Sequence, residues 1–389
     1  EKTINMRKSI LFIIDSLTCG GAEKSLVSLL PLLNQNKYEI YLWMRYPSGA
    51  FMPLLSEDVH IVKQPLYSKS ERIKFKLGGL FYSIMYRWNK LIGKNEHTAE
   101  TLWKCQGWAL KIPAGKWDTV VAYQQGIPTY LAANKFTDCK KIAWINADIF
   151  KAGYNTKFNS KFYQKFDYIC PVSDVLHKMM DMRMPEFSER YTTVWDIINP
   201  DLTRKLAKES CVNLRKDNGE YIFVTTGRLV PPKGYDIAIE AAKILKENGV
   251  KFKWYFIGEG PERQTIENNI KTNALTNHII LLGLQTNPYK YMEQADVYVQ
   301  TSKFEGFGMT IAEAKILGKP IVSTNFDVVY NQITHEKNGL IAEMNGKSIA
   351  DSIYRMITDN ELRKSIIDEV KRENNITHLT EAKKVEALI

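Results

Sequence analysis

An α/β chain built on two parallel sheets is predicted, on three observations. Strand-like runs alternate with helical ones along the whole chain, which is the pattern of repeated βαβ units. The alternation breaks at Asn199-Pro200-Asp201, a plausible linker, and then resumes. At 389 residues the chain is too long for one ordinary core, so two domains of about 190 residues each are expected. Two such domains in tandem imply a cleft, and in each open sheet ligands belong at the carboxyl ends of the strands.

In the first half the strand candidates are 9–15, 38–45, 59–63, 119–123, 141–145, 168–172 and 192–198. The first leads into Leu17-Thr18-Cys19-Gly20-Gly21 and an apolar-periodic helix. Gly20 and Gly21 would let a phosphate or sugar approach the backbone, although a lone diglycine serves a tight turn equally well. Residues 69–94 read as a helix from about Lys76. Leu77, Leu80, Phe81, Ile84, Met85, Trp88, Leu91 and Ile92 fall at helical spacing, bordered by Lys76, Arg87, Lys90 and Lys94. Such a stripe either packs on a core or lies in a membrane interface.

Charge is unevenly placed. Residues 1–195 hold 27 Lys+Arg against 17 Asp+Glu, whereas residues 196–389 hold 26 of each. A basic half admits nucleic acid or an anionic membrane surface as partner. No zinc finger, RNA-binding aromatic signature or basic zipper is present, so nucleic acid is not expected. The hydrophobic fraction of 44% and charged fraction of 25% are those of a soluble globular protein. No apolar run reaches the roughly 18 residues needed to span a bilayer. The first apolar stretch ends at Asp15, as a strand and not a signal peptide, and Met6 is a candidate natural start. Cys19, Cys105, Cys139, Cys170 and Cys211 are odd in number and form no C-x-x-C, which favours reduced thiols in a cytoplasm over disulfides or zinc.

The second series of strands runs over 221–226, 253–257, 279–282, 297–300, 320–323 and 339–342, separated by helical stretches such as 236–247. After the first of these comes Gly227-Arg228-Leu-Val-Pro-Pro-Lys233-Gly234, where two cations leave a loop and can converge on a diphosphate. The next leads into Gly258-Glu259-Gly260-Pro261-Glu262-Arg263. A dinucleotide fingerprint needs Gly where Arg263 stands, and no Walker lysine motif is present, so a dehydrogenase reading is weak.

Residues 303–319, KFEGFGMTIAEAKILGK, are the most informative. A strand over 296–302 feeds a turn with Gly306 and Gly308, and the pattern turns helical from about Gly308. Backbone N–H groups at such a helix start form a ready anion site. Glu305 lies on the turn. Glu313 lies a turn into the helix, leaning back toward its start. Two glutamates there commonly do no more than favour the helix dipole. As acceptor-only groups flanking a phosphate cradle they also suit the hydroxyls of a nucleotide-sugar.

GGAEK, GRLVPPKGYD, IGEGPER, LGLQTNPYKYMEQAD and SKFEGFGMTIAEA, in this order, resemble the retaining family 4 glycosyltransferases of the GT-B fold over nearly the full chain. The wording NPYKYM and KPIVSTNFDVVYNQI is similar to bacterial members that build capsular or other surface polysaccharides. The resemblance implies two Rossmann-like domains, an acceptor domain over 1–198 and a donor domain over 199–375, with a helix in 376–389 packing back on the first. It implies a retaining hexosyl transfer from a nucleotide-sugar, with uracil the expected base, to a glycan or lipid-linked acceptor. No metal or other cofactor is expected, in agreement with the lack of a D-x-D triplet.

Carried over by position, the resemblance puts Arg228 and Lys233 on the donor diphosphate, Glu313 on the ribose hydroxyls and Glu305 near the transferred sugar. The amides of Phe307, Gly308, Met309 and Thr310 would face phosphate or sugar, with Gly227 and Gly306 in the same loops. Gly283, Leu284 and Gln285 would border the base, with Gly258 and Glu259 close by. Gly20, Gly21, Asn146 and Asp148 would lie on the acceptor side. Members of this kind often carry His in a W-I-H-x-D segment, where this chain has Trp144-Ile145-Asn146-Ala147-Asp148. Asn forms hydrogen bonds but cannot act as a base. Asn146 therefore leaves open a catalytically reduced sugar-binding or membrane-associated module. A nucleotide-sugar epimerase is the other alternative, but the added carboxylate or His chemistry it requires is not found. The basic half, the helix near Lys76–Lys94 and the resemblance together point to a cytoplasmic enzyme held peripherally at the inner face of the cytoplasmic membrane.

Overall fold

The alternating apolar runs form two separate parallel sheets in the computed structural model, which describes residues 7–18, 20–94, 96–209, 214, 219–373 and 377–389. Met6, Cys19, Cys211 and the expected boundary at residue 375 lie outside the described residues. The chain divides into two units, one of Glu1–Ile197 with His378–Ile389 and one of Ile198–Thr377.

The first unit opens with β1 (Lys8–Ile14), α1 (Gly21–Leu29), β2 (Tyr38–Met44), β3 (His60–Ile61), α2 (Lys69–Leu91) and α3 (Thr98–Gln106). It continues with β4 (Thr119–Ala122), α4 (Ile127–Lys135), β5 (Lys140–Ile145), α5 (Thr156–Tyr163), β6 (Tyr168–Pro171) and α6 (Asp174–Arg183). Its strands lie in the order β3-β2-β1-β4-β5-β6, all parallel. Ile10 to Ile14 are wholly buried, because helices cover both faces of such a sheet and its central strand must be apolar throughout.

The second unit begins with α7 (Pro200–Ala207), β7 (Tyr221–Thr226), α8 (Tyr235–Glu247), β8 (Phe252–Ile257), α9 (Arg263–Thr272) and β9 (Ile279–Gly283). There follow α10 (Tyr289–Met292), β10 (Val297–Gln300), α11 (Met309–Ile316), β11 (Ile321–Thr324), β12 (Leu340–Ala342), α12 (Gly346–Thr358) and α13 (Asn360–Arg372). The sheet order is β12-β11-β10-β7-β8-β9. The strand order reverses between β7 and β10, and the crevice at such a point is where open α/β sheets bind ligands. A last helix, α14 (Thr377–Leu388), supplies contacts to the first unit. Glu386 accepts from the Asn34 N–H at 2.7 Å, and Glu381 from the Trp195 N–H at 2.9 Å.

Two expectations about local structure are corrected, and a third is refined. Residues 192–198 form no strand. Thr192 and Val194 donate to Ile169 and Pro171 beside β6, but the Trp195 and Ile197 amides turn to the side chains of Glu381 and Ser25. The segment 199–201 lies next to the division between the units and also begins α7, where Asn199 accepts from the Asp201 and Leu202 amides; Pro at the first helical position suits this. Helix α2 starts at Lys69, seven residues before the expected Lys76. Ser68 and Glu71 form a capping box there, with Ser68 N–H donating to Glu71 at 2.8 Å, and this satisfies two otherwise orphaned amides.

Candidate active site

The loops after β7 and β10 meet at the point where the strand order reverses. Gly227 continues β7 by donating to Ile257 at 3.0 Å. Pro231–Lys233 then form a single 3-10 turn, and Gly234 sits at φ 62 with Thr301 O only 2.0 Å from where a Cβ would stand. Only glycine permits that approach. The two loops are bonded directly: Lys303 N–H donates to Pro232 at 2.7 Å and Thr301 Oγ1 to Lys233 O at 3.1 Å.

This places Lys233 against Glu305. The ammonium donates to Glu305 Oε1 at 2.6 Å, and the same oxygen accepts from Ser302 Oγ at 2.6 Å and Gln300 Nε2 at 2.8 Å. Three donors on one oxygen fix the carboxylate, and among the described residues Oε2 has no hydrogen bond. Arg228 is exposed on the same loop, and its guanidinium pairs with none of the described residues. Gly306 lies in the turn after Glu305, and the Phe307 ring is buried.

Gly308 precedes α11 at φ 89, ψ 46, and no side chain caps that helix. Its start is held from behind, with Gln332 Nε2 donating to Phe307 O at 2.5 Å and Gly308 O at 3.2 Å. Thr310 Oγ1 donates to Gln300 Oε1 at 3.0 Å. Met309 and Thr310 are the first residues of the helix, where amides lack intrahelical partners.

Glu313 departs from the expectation of a carboxylate lining an open cradle. It is fully buried, accepting from the Tyr289 hydroxyl at 3.2 Å. Helix α11 is apolar on most of its circumference, so a residue one turn in points into packing. Tyr289 and Ser302 lie within the family-like motifs, which assign them no role, and Gln300 lies in none; the structure shows all three bonded to these glutamates.

The neighbouring loops are built by close backbone approach. Gly258, at φ 151, would place a Cβ 1.9 Å from Gly227 O, and its N–H donates to Gly283 at 2.9 Å. Gly227, Gly258 and Gly283 thus line up across three strand ends. Glu259 is tied to Arg263, and Arg263 also reaches Glu267 at 2.9 Å. Gln285 bonds Leu282 O at 2.8 Å and accepts from Tyr291 at 3.0 Å, while Leu284 is exposed. Among the described residues, no group of three or more His, Cys, Asp and Glu is placed to hold a metal ion.

In the first unit, Gly20 is the N-cap residue of α1 and Gly21 its first residue. A Cβ at Gly20 would collide with the Glu23 carboxylate at 2.2 Å. Asn146 is locked in place, its N–H donating to Gln125 at 3.0 Å and its amide to Tyr123 O at 2.8 Å. Asp148 is buried and accepts from the Phe150 and Lys151 amides at 2.9 and 3.0 Å, which makes it the organiser of its own turn. At the end of β1, unmarked by any motif, Asp15 accepts from Arg45 at 2.9 Å. Burial raises its carboxyl above the usual range, and Arg45 opposes that.

Residues 208–373 match the family model described as glycosyl transferases group 1. The chain has the GT-B fold, and its match to that glycosyltransferase family lies in the second unit. It is 34% identical over 169 residues to a poly(ribitol-phosphate) alpha-N-acetylglucosaminyltransferase of Staphylococcus aureus, covering 40% of this chain and 34% of that one. It is 25% identical over 368 residues, 94% of both chains, to a Campylobacter jejuni N-acetylgalactosaminyltransferase that acts on an N-acetylgalactosamine-N,N'-diacetylbacillosaminyl-diphospho-undecaprenol. The chain likewise spans only 49% and 41% of two other curated relatives. Among solved structures, Anabaena HepE in complex with UDP-glucose aligns with a TM-score of 0.72 over 98% of this chain and 100% of its own, at 17% identity. WaaG, a glycosyltransferase involved in lipopolysaccharide biosynthesis, aligns at 0.65 over 98% and 99%, at 13% identity. These structural likenesses bear on the fold.

Proposed function

We propose that this glycosyltransferase moves a sugar, with retention and without a metal, from a UDP-sugar to a glycan or lipid-linked acceptor in surface polysaccharide synthesis. The observation that carries the reading is the bonded pair of loops after β7 and β10, which sets Lys233, Glu305 and the uncapped start of α11 around one crevice. Arg228 and Lys233 meet the negative charge that develops on the departing diphosphate, and the amides of Met309 and Thr310 add to it. Lys233 has three N–H donors, so it can keep Glu305 and still reach a phosphate oxygen.

The transferred carbon breaks its bond to the diphosphate oxygen and forms one to the acceptor hydroxyl on the same face. The hydroxyl proton passes to the leaving phosphate. Glu305 Oε2 is the oxygen left for the donor sugar's hydroxyls. Glu313 reaches the ribose only from beneath the helix start, sharing its carboxylate with Tyr289. Asn146 serves as a fixed hydrogen-bonding residue on the acceptor side.

We further propose that the protein works at the inner face of the cytoplasmic membrane, with α2 as its contact. No described helix is long and apolar enough to cross a membrane. The apolar stripe of α2 packs on no core: Trp88 is 55% and Leu91 79% exposed. The core-packing alternative for that stripe is thereby overturned.

A thermal-shift panel of UDP-, GDP- and ADP-sugars tests the donor. A ligand at about a hundred times its Kd adds roughly 2.7 kcal/mol of stability, so the UDP series should move the unfolding temperature and the others should not. Lys233→Ala should fold normally and lose turnover, measured as UDP release. A charge-assisted contact is worth roughly 1.5–3 kcal/mol, so the loss should be on the order of ten- to a hundredfold or more. A normal rate in this variant would remove Lys233 from the diphosphate.

A further inference from the structure

We propose that Gln300 is a positioning residue for sugar transfer, one buried amide that aligns Glu305 and the first turn of α11 together. The inference rests on the donor-site reading above. Gln300 ends β10 and is 1% exposed. Its oxygen accepts from the hydroxyls of Tyr298 at 2.9 Å and Thr310 at 3.0 Å. Its nitrogen donates to Ser302 Oγ at 2.6 Å and Glu305 Oε1 at 2.8 Å. Hydroxyls on the oxygen and a carboxylate on the nitrogen settle which end of the amide points where, since a carboxylate can only accept.

The arrangement has a consequence for each partner. With Lys233 and Ser302 also on Glu305 Oε1, the glutamate cannot swing, so Oε2 keeps one direction. Thr310 is tied to the same amide, so the anion-binding start of α11 and the sugar-facing carboxylate hold a constant spacing. Among the described residues no other side chain is hydrogen-bonded to both Glu305 and Thr310. Removing the amide frees Glu305 to rotate with Lys233 as its anchor, and this disturbs the sugar more than the nucleotide.

Two variants test this. Gln300→Leu keeps the volume and removes the hydrogen bonds. It should lower kcat by ten- to a hundredfold while the Kd for UDP changes less than threefold, and it should lose the affinity difference between UDP and UDP-sugar. Gln300→Glu places a second carboxylate beside Glu305, in a pocket also faced by Lys233, Tyr298, Tyr235 and the buried Glu313. Two carboxylates at that distance cannot both ionise easily and share a proton as one coupled pair. At low pH the shared proton supplies the missing donor and activity should approach wild type. As pH rises the proton is lost, the two charges repel, and kcat should fall along a limb that the wild type lacks.

A merely structural role would reduce stability and UDP binding together and would give no such limb. Wild-type kcat in Gln300→Leu, or parallel pH profiles for Gln300→Glu and wild type, would overturn the proposal while leaving the donor site standing. Failure of the wild type to bind any UDP-sugar would overturn the donor-site reading and this inference with it.

Discussion

Burial raises the Asp196 carboxyl from its ordinary range to about 7, against the lowering effect of a Ser25 hydrogen bond and with Glu23 adding to the rise. Ser25 Oγ also lies 2.9 Å from the Tyr123 hydroxyl and accepts from the Ile197 N–H at 2.9 Å. In the unfolded chain the same carboxyl ionises near pH 4. Between about pH 4 and 7 the folded state therefore holds the extra proton, and stability falls as pH rises through that window. Asp196→Asn removes the titration and keeps the shape. Urea unfolding should show the variant gaining on the wild type from pH 4.5 to pH 8 and then levelling. An equal difference at both pH values would mean that the carboxyl titrates normally. The same scale explains Glu305 and Glu313, identical in chemistry, of which one lies at the crevice and the other under a helix.

Helix α2 shows how an element acquires a surface that its sequence describes only in part. Gly78 and Asn89 are its buried positions, and Gln106 of α3 packs against Gly78. Ile73, Leu77, Leu80, Ile84, Trp88 and Leu91 lie opposite, exposed at successive three- and four-residue steps. Lys76, Arg87, Lys90 and Lys94 border them. Each cation near an anionic bilayer contributes about 1 kcal/mol. Reversing these four to Glu should therefore lower partitioning onto anionic vesicles by at least about a thousandfold, whereas neutral vesicles should bind either protein weakly. Trp88→Ala should make the remaining binding more sensitive to salt, because the apolar contribution resists screening. Co-sedimentation measures both effects, and equal binding by wild type and quadruple variant would exclude α2 as the contact.

At the scale of the molecule, the end of the chain belongs to its beginning. The carbonyls of Leu388 and Ile389 accept from Lys140 at 2.9 Å and Lys8 at 3.2 Å, and Tyr38 donates to Glu386 O at 3.2 Å. Val385, Leu388 and Ile389 are buried. Deleting 378–389 should leave the second unit folded and lower the first unit's unfolding temperature, since the Trp195 and Asn34 amides lose their partners. An unmatched buried donor costs roughly 1–3 kcal/mol. Calorimetry should then resolve an early transition ahead of the nucleotide-stabilised one; a single unshifted transition would show that α14 contributes little.

The alternation of apolar runs determined the two parallel sheets, because a strand buried on both faces must be apolar throughout and a helix beside it must be periodic. Glycine spacing after β7 and β10 likewise marked where Lys233, Glu305 and the α11 start would lie, since Gly234 and Gly308 adopt conformations that other residues resist. The run 192–198 misled because alternation records burial, not the partner of each amide, and here Glu381 and Ser25 took two of them. Gln300 lies in none of the family-like motifs, and the roles of Ser302 and Tyr289 within theirs were not legible. Tyr289 meets Glu313, and Gln300 meets Thr310, only when loop and helix close over β10. The exposure of the α2 stripe was also undecided in sequence, because helical periodicity names a face without naming what covers it. Only the packing of α3 against the opposite side left that face bare.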